Sequence, residues 1–368
     1  MMHRLFSTMS ILTLPVLMLA VLTLAVPAAA QRPAGYPRSY DALVAEARTE
    51  RGVHVYGNAD ASAMATVIAA FRRTWPGVSV TYSDLESHDI YRRVVAETRA
   101  RRPNADLVWS SAMDLQAKLI NDGYAQSYQS PEKPALPPAA VWKNMGYGVT
   151  AEPVAFVYNK RLIAPADVPH THEAFERLLR ARRAAFAGKV ASYDPARSNV
   201  GYLYLTEDYA ITRDTRSLLR AIAATRPLLS RTTGPMLDAV ASGRAAIAYN
   251  VVGPYALTRA RRDPRIGVVF PRDYALVASR VAFIARDARH PAAARLFLDF
   301  LLSRTGQTLL ARQWLLPVRT DVRAPRLGAD RARPIRVGPQ LLVNLDSIKR
   351  RRFLADWTAI LSEGALVK

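Results

Sequence analysis

The chain has 368 residues, with 51 Lys and Arg against 30 Asp and Glu, a net charge of +21 and no Cys. The lack of Cys excludes disulfides, thiolate metal sites and Cys nucleophiles. The charge favours anionic partners, and the length allows two lobes of ordinary domain size.

Residues 1–4 are a short basic start, 11–26 an apolar run, and Ala28, Ala29 and Ala30 are small residues before Gln31. That order is expected of a cleavable signal peptide, cut after Ala30, which delivers the remainder to the periplasm. The apolar run is short for a membrane span. Only Arg4 among the basic residues lies in the first 30, so the rest keeps 50 basic against 30 acidic side chains, a net +20. An exported chain whose Arg residues are scattered, without a basic run interleaved with aromatics, argues against nucleic acid.

Strand-like and helix-like segments then alternate. Residues 52–56 (GVHVY) read as a buried strand, followed by a loop holding Asn58, Asp60 and Ser62 and a helix over 64–74. Pro76-Gly77 marks a turn, and 78–82 (VSVTY) a second strand. The polar loop 83–89, with Ser87 and His88, leads to a helix over 90–99. A third strand at 105–109 precedes Ser110 and Ser111, with a helix over 114–122 closed near Gly123. Three strand–loop–helix repeats imply βαβ units in mostly parallel sheets. Pro-rich residues 130–138 mark a connection. Strands are expected at 154–158, 189–193, 245–249 and 266–270, and helices at 175–183, after 197–201, at 236–242, 292–303, 307–314 and within 341–357.

In such sheets ligands gather at the carboxyl ends of strands. The residues expected there are Asp60, Ser62, Ser87, Ser110, Ser111, Asp194, Ser198, Asn199, Tyr249 and Asn250. Most are hydroxyls and amides at helix starts, where free N–H groups and the positive end of the helix dipole receive anions. Each is also an ordinary N-cap residue type. Trp109 and Tyr249 are candidates for stacking on a ligand, or for the core. No G-x-S-x-G, H-E-x-x-H or Walker-type loop occurs, which disfavours an enzyme. His170 and His172 have metal-like spacing without a neighbouring acidic cluster, so no metal site is expected.

Residues 105–124 (ADLVWSSAMDLQAKLINDGY), 151–160 (AEPVAFVYNK) and 192–201 (SYDPARSNVG) resemble the periplasmic solute-binding proteins of ABC transporters. The branch is the ferric-ion and phosphorylated-solute binders of solute-binding family 1. Similar segments continue at 243–254, 271–286, 290–306 and 334–357, so the likeness covers nearly the whole exported chain. It implies a two-lobed α/β fold of periplasmic-binding-protein type II, each lobe a mostly parallel sheet flanked by helices, with the cleft between lobes. One lobe is expected from 31–148 and 271–325, the other from 149–270, with C-terminal helices of 326–368 packed across both. It further implies a monomer that captures a small anionic solute without a cofactor and hands it to an inner-membrane ABC permease, or presents it to a sensor kinase.

Ferric-ion binders carry adjacent Tyr ligands after the strand matching 245–249. Here the stretch reads Tyr249-Asn250-Val251-Val252. Val offers hard Fe(III) no oxygen, so an oxyanion, and among the branch's ligands a phosphorylated organic solute, fits better than direct ferric-ion binding. Iron carriage with a bound anion, and hydrolysis of phosphate esters, are the alternatives.

Overall fold

The computed structural model describes residues 32–323 and 331–366. The expected signal segment lies outside the described residues. Short apolar runs rich in Val, Ile and Tyr form the strands. In chain order they are β1 (Gly52–Gly57), β2 (Ser79–Asp84), β3 (Leu107–Ser110), β4 (Val141–Trp142), β5 (Gly146–Gly148), β6 (Glu152–Asn159) and β7 (Val190–Tyr193). They continue with β8 (Leu228–Ser230), β9 (Ile247–Val252), β10 (Ile266–Val269), β11 (Ala275–Ala278), β12 (Val281–Ile284) and β13 (Ala332–Pro334).

Two sheets result. The first has the order β2-β1-β3-β12-β5-β4, and the second β13-β11-β6-β9-β7-β8 with β10 against β6. β1 runs parallel to β2 and β3, and β7 parallel to β8 and β9. These are the βαβ units visible in the sequence. The rest of each sheet is mainly antiparallel: β12 opposes β3 and β5, and β6 opposes β9, β10 and β11, with β13 parallel to β11 at the edge. The sheets are therefore mixed, because strands that carry the chain between lobes return in the opposite direction.

The chain crosses from the first sheet to the second between β5 and β6 and returns between β11 and β12, two residues apart. The crossings are bonded to each other. Val149 N donates to Arg280 O (2.8 Å) and Arg280 N to Thr150 Oγ1 (2.9 Å).

Helices cover the sheets with one apolar stripe each. Ala61–Thr74 buries Met64, Val67, Ala70 and Phe71, a helical spacing. Pro291–Leu302 is buried almost all round, and Phe297 and Phe300 meet Phe71 edge-on at 5.0 and 5.5 Å. Gln340–Val343 packs on Met113–Asn121, while Ser347–Leu366 packs on Thr215–Ala223 beneath the second sheet. No helix among the described residues is long and apolar enough to cross a membrane.

Asp299, buried within Pro291–Leu302, accepts bonds from Tyr40 Oη (3.0 Å), Tyr128 Oη (2.5 Å) and Ser130 Oγ (2.6 Å), tying the first helix to the loop before β4. Burial pushes its carboxyl up to about 7 and that of Asp114 up to about 6. Between these values and the ordinary carboxyl range the folded chain holds protons that the unfolded chain has lost. Their stabilisation is complete below about pH 4 and is lost as pH rises through about 6 to 7. Hydrogen bonds from Arg265 act the other way and hold Asp263 down at about 2, a contribution lost only in strong acid. Stability is thus expected to peak near pH 4 to 5 and fall towards pH 8, with Asp299→Asn flattening the fall. Denaturant unfolding at several pH values measures this; a flat or rising limb from pH 5 to 8 refutes it.

Candidate functional site

The loops after β1, β2 and β3 face those after β7, β8 and β9 across a cavity of about 600 Å3. Its volume is typical of a site for an organic ligand.

On the first lobe, Asn58 orders two hydroxyls. Its Nδ2 donates to Ser87 Oγ (2.8 Å) and Ser111 Oγ (2.7 Å), and its Oδ1 accepts from Ser111 N (3.1 Å). Ser110 Oγ, buried behind them, donates to Ser87 Oγ (3.1 Å) and accepts from Ala112 N (3.2 Å). Ser87 Oγ therefore accepts two bonds, which fills its lone pairs and leaves its own proton to donate outward. Ser111 Oγ accepts one and also keeps its proton. The pair is set as a double hydroxyl donor on the cavity wall.

At the cavity floor lies Arg280, only 1% exposed. Its Nε donates to Glu152 Oε1 (2.8 Å), its Nη1 to Asn58 O and Oδ1 (both 2.9 Å), and its Nη2 to Tyr255 Oη (3.1 Å). Glu152 is buried as well and also accepts from Thr150 Oγ1 (2.7 Å). One guanidinium at the crossing thus joins the first lobe's loop, the crossing strand and the second lobe's wall. A buried ion pair keeps its charges only when the remaining donors are satisfied, and here they are.

On the second lobe the wall is built around the N-terminus of the 13-residue helix Asn199–Ile211. Ser198 caps it, its Oγ accepting from Gly201 N (3.1 Å). The first-turn amides of Asn199 and Val200 have no acceptor inside the helix. Asn199 lines the cavity, is 8% exposed, and its Nδ2 is a buried donor without a partner. A buried orphan donor is costly in the absence of a ligand, so this corner is shaped for an acceptor. Arg197 stands beside it. Tyr193 Oη and Thr233 Oγ1 share a bond of 2.5 Å. Arg231 reaches Glu86 of the facing lobe at 3.6 Å, an exposed pair across the cavity mouth.

Of the residues expected from sequence, Asp60, Ser87, Ser111, Ser198 and Asn199 line the cavity. Ser110 stands one bond behind. Ser62 is exposed on Ala61–Thr74, outside the lining. Asp194 is also outside; its Oδ1 accepts from Ala196 N (3.0 Å) and its carbonyl from Ser198 N (2.8 Å), which shapes the turn before the helix. Tyr249 and Asn250 are buried in the second lobe's core and both donate to Asp208 Oδ2, at 2.9 and 2.6 Å. Trp109 is fully buried. His172 stacks on Tyr274 at 4.0 Å and pairs with Asp273 at 3.1 Å. No group of three His, Cys, Asp or Glu among the described residues could hold a metal. Sequence reasoning passed over Arg197, Arg231, Tyr255, Arg259, Arg262 and Arg280. Only the surplus of Arg hinted at the five arginines, and nothing local at Tyr255.

The sequence pattern of the bacterial extracellular solute-binding protein family matches residues 53–314. No curated protein matches the chain. The substrate-binding protein of an ABC transporter from Agrobacterium tumefaciens is 35% identical, over 84% of this chain and 94% of that one, with a TM-score of 0.78. AfuA from Actinobacillus pleuropneumoniae, a periplasmic binding protein solved with fructose-6-phosphate, is 18% identical over 85% and 99%, TM-score 0.66. Iron-bound HitA from Pseudomonas aeruginosa is 16% identical over 85% and 98%, TM-score 0.65. The last two share the two-lobed type II binding-protein fold. The chain belongs to the bacterial extracellular solute-binding protein family and is the substrate-binding component of an ABC transporter.

Proposed function

We propose that this component works in the periplasm as a monomer, and that its solute is a phosphorylated organic anion held between the lobes. In this reading one lobe is residues 31–148 with 281–325 and the other 149–278, the boundary expected at 270 moving beyond β11 because β11 pairs with β6 of the second sheet, and the solute passes to an inner-membrane permease. The observation that carries the ligand class is the helix N-terminus of Asn199–Ile211, which opens on the cavity with a buried, unpartnered Asn199 amide and Arg197 beside it. Helix N-termini with such donors suit phosphate oxygens. The outward protons of Ser87 and Ser111 face them from the other lobe, so closing the cleft surrounds one anion with donors from both sides. AfuA supports the same class by analogy, since its structure holds fructose-6-phosphate. Iron fits less well. Tyr193 and Tyr255 are the cavity phenols; burial raises the first well above the usual phenol range, opposing the phenolate that Fe(III) needs.

A thermal-shift screen of residues 31–368 tests the reading, with sugar phosphates, phosphoglycerates, phosphonates, inorganic phosphate and ferric citrate. At about 100 times its dissociation constant a true ligand adds about 2.7 kcal/mol, a plain rise in Tm. A shift with an organophosphate is expected. A shift with ferric citrate alone overturns the reading.

A further inference from the structure

Five arginines line the cavity: Arg197, Arg231, Arg259, Arg262 and Arg280. Three are matched by carboxylates. Arg280 pairs with Glu152, Arg259 with Asp238 at 2.7 Å, and Arg231 with Glu86. The guanidinium groups of Arg197 and Arg262 have neither a hydrogen bond nor an ion pair among the described residues. They stand on different elements. Arg197 precedes the helix Asn199–Ile211, whereas Arg262 ends the helix Gly253–Arg262. Thr258 and Arg259 lie one turn before Arg262 on its helix, which the Arg259–Asp238 pair ties to the helix Thr233–Ser242, while Ser198 and Asn199 directly follow Arg197.

Two unmatched cations facing one partly enclosed space raise its potential, and an anion at each lowers it. A cation in the last turn of a helix also suits the dipole, but Arg261 already supplies one there, stacked 5.4 Å over Trp314. The dipole therefore does not require Arg262 as well. The volume points the same way, since about 600 Å3 leaves ample room beyond a single phosphate group. Leu85, Val200, Leu237 and Val252 add apolar lining against which a carbon spacer can pack.

We infer that the cleft takes a ligand with two anionic groups, a bisphosphate or a phosphorylated carboxylic acid. One group sits at the Asn199 helix N-terminus with Arg197, the other against Arg262 with Arg259. This rests on the reading of the cleft as an organophosphate site and adds a second anion position.

Titration calorimetry with matched pairs tests it: fructose 1,6-bisphosphate against fructose 6-phosphate, and 3-phosphoglycerate against glycerol 3-phosphate. In at least one pair the two-anion member is expected to bind about tenfold tighter or more. Arg262→Gln should remove that advantage and leave the single-anion member unchanged. Arg351→Gln, an exposed cation on the C-terminal helix, should keep it, which separates a local contact from the effect of net charge. Equal affinity within both pairs overturns this inference alone, as does an advantage that survives Arg262→Gln. If no member of either pair binds, the organophosphate reading falls and this inference with it.

Discussion

Arg280→Met is expected to lower the unfolding free energy by about 3–5 kcal/mol and to abolish the ligand-induced rise in Tm. The cost comes less from the lost contact than from what remains. Glu152 is 3% exposed and keeps only the Thr150 hydroxyl as a donor once the guanidinium is gone. An ionised carboxylate in that position is an uncompensated buried charge. The effect on binding has a separate route. Arg280 Nη1 holds both oxygens of Asn58, and Asn58 in turn aims the Ser87 and Ser111 hydroxyls. Without that anchor Ser111 N is the one donor left on Asn58 Oδ1 and the Asn58 carbonyl loses its partner, so the loop loosens and the two protons are less firmly aimed. The routes separate in the double variant Arg280→Met with Glu152→Met. Replacing both charges by apolar groups of similar volume should restore stability to within about 1 kcal/mol of the parent. Binding should stay weakened, because the Asn58 loop still lacks the guanidinium that holds its two oxygens. Denaturant unfolding and thermal shift read the two effects independently. A single-variant cost below about 1 kcal/mol sinks the account of the ion pair, and a ligand shift that survives undiminished in the double variant sinks the account of Asn58.

Why Arg280 was invisible in the sequence is a matter of range. Residues 274–285 read as one apolar run interrupted by Ser279-Arg280. Nothing local divides that run into β11 and β12 or assigns them to different sheets. The division is made by partners far along the chain, Pro153 and Glu152 for β11 and Ser110 and Trp109 for β12. The parallel half of each lobe was legible because its order is local: a strand, a polar loop, an amphipathic helix. That order put Asp60, Ser87, Ser111, Ser198 and Asn199 at strand ends, and all five line the cavity. Tyr249 and Asn250 show where the same logic slips. The strand read as ending at 249 runs on to Val252, pairing Val251 with Ala155 and Val252 with Val154. Asn250 absorbs a register shift with φ at 57°, a left-handed conformation that Asn tolerates better than most residues. Its amide turns to the buried Asp208, so the residues that reach the cavity are Val252 and Tyr255. Ser62 misses by the same small margin. The helix begins at Ala61, so Asp60 holds the mouth of the loop and Ser62 is carried onto the outer face.

Two variants of Asn199, to Asp and to Ser, should separate binding from stability in the opposite direction. An acidic residue in the first turn favours the helix dipole by about 0.3–1 kcal/mol. The orphaned Nδ2 donor disappears with the substitution, which removes a further cost from the ligand-free protein. Against these gains stands the burial of an unpaired carboxylate at a position only 8% exposed, so the unliganded Asp variant is expected to melt below the parent, and stability is read from the uncharged Asn199→Ser. For a phosphoryl group the same change is adverse twice over: a hydrogen-bond donor is lost, and a negative charge takes its place at contact distance. The two together should weaken organophosphate binding by about a hundredfold or more, or about 2.8 kcal/mol. Asn199→Ser removes the amide without adding charge and should cost only about tenfold. The order parent, Ser, Asp in affinity, with no fall in Tm for Asn199→Ser, is what a donor aimed at an anion requires. Should Asn199→Asp bind an organophosphate as tightly as the parent, the anion does not sit at this helix. Should Asn199→Ser, which adds no charge, lower the Tm of the free protein by several degrees, Asn199 is a structural residue and its unpartnered amide is no sign of a ligand.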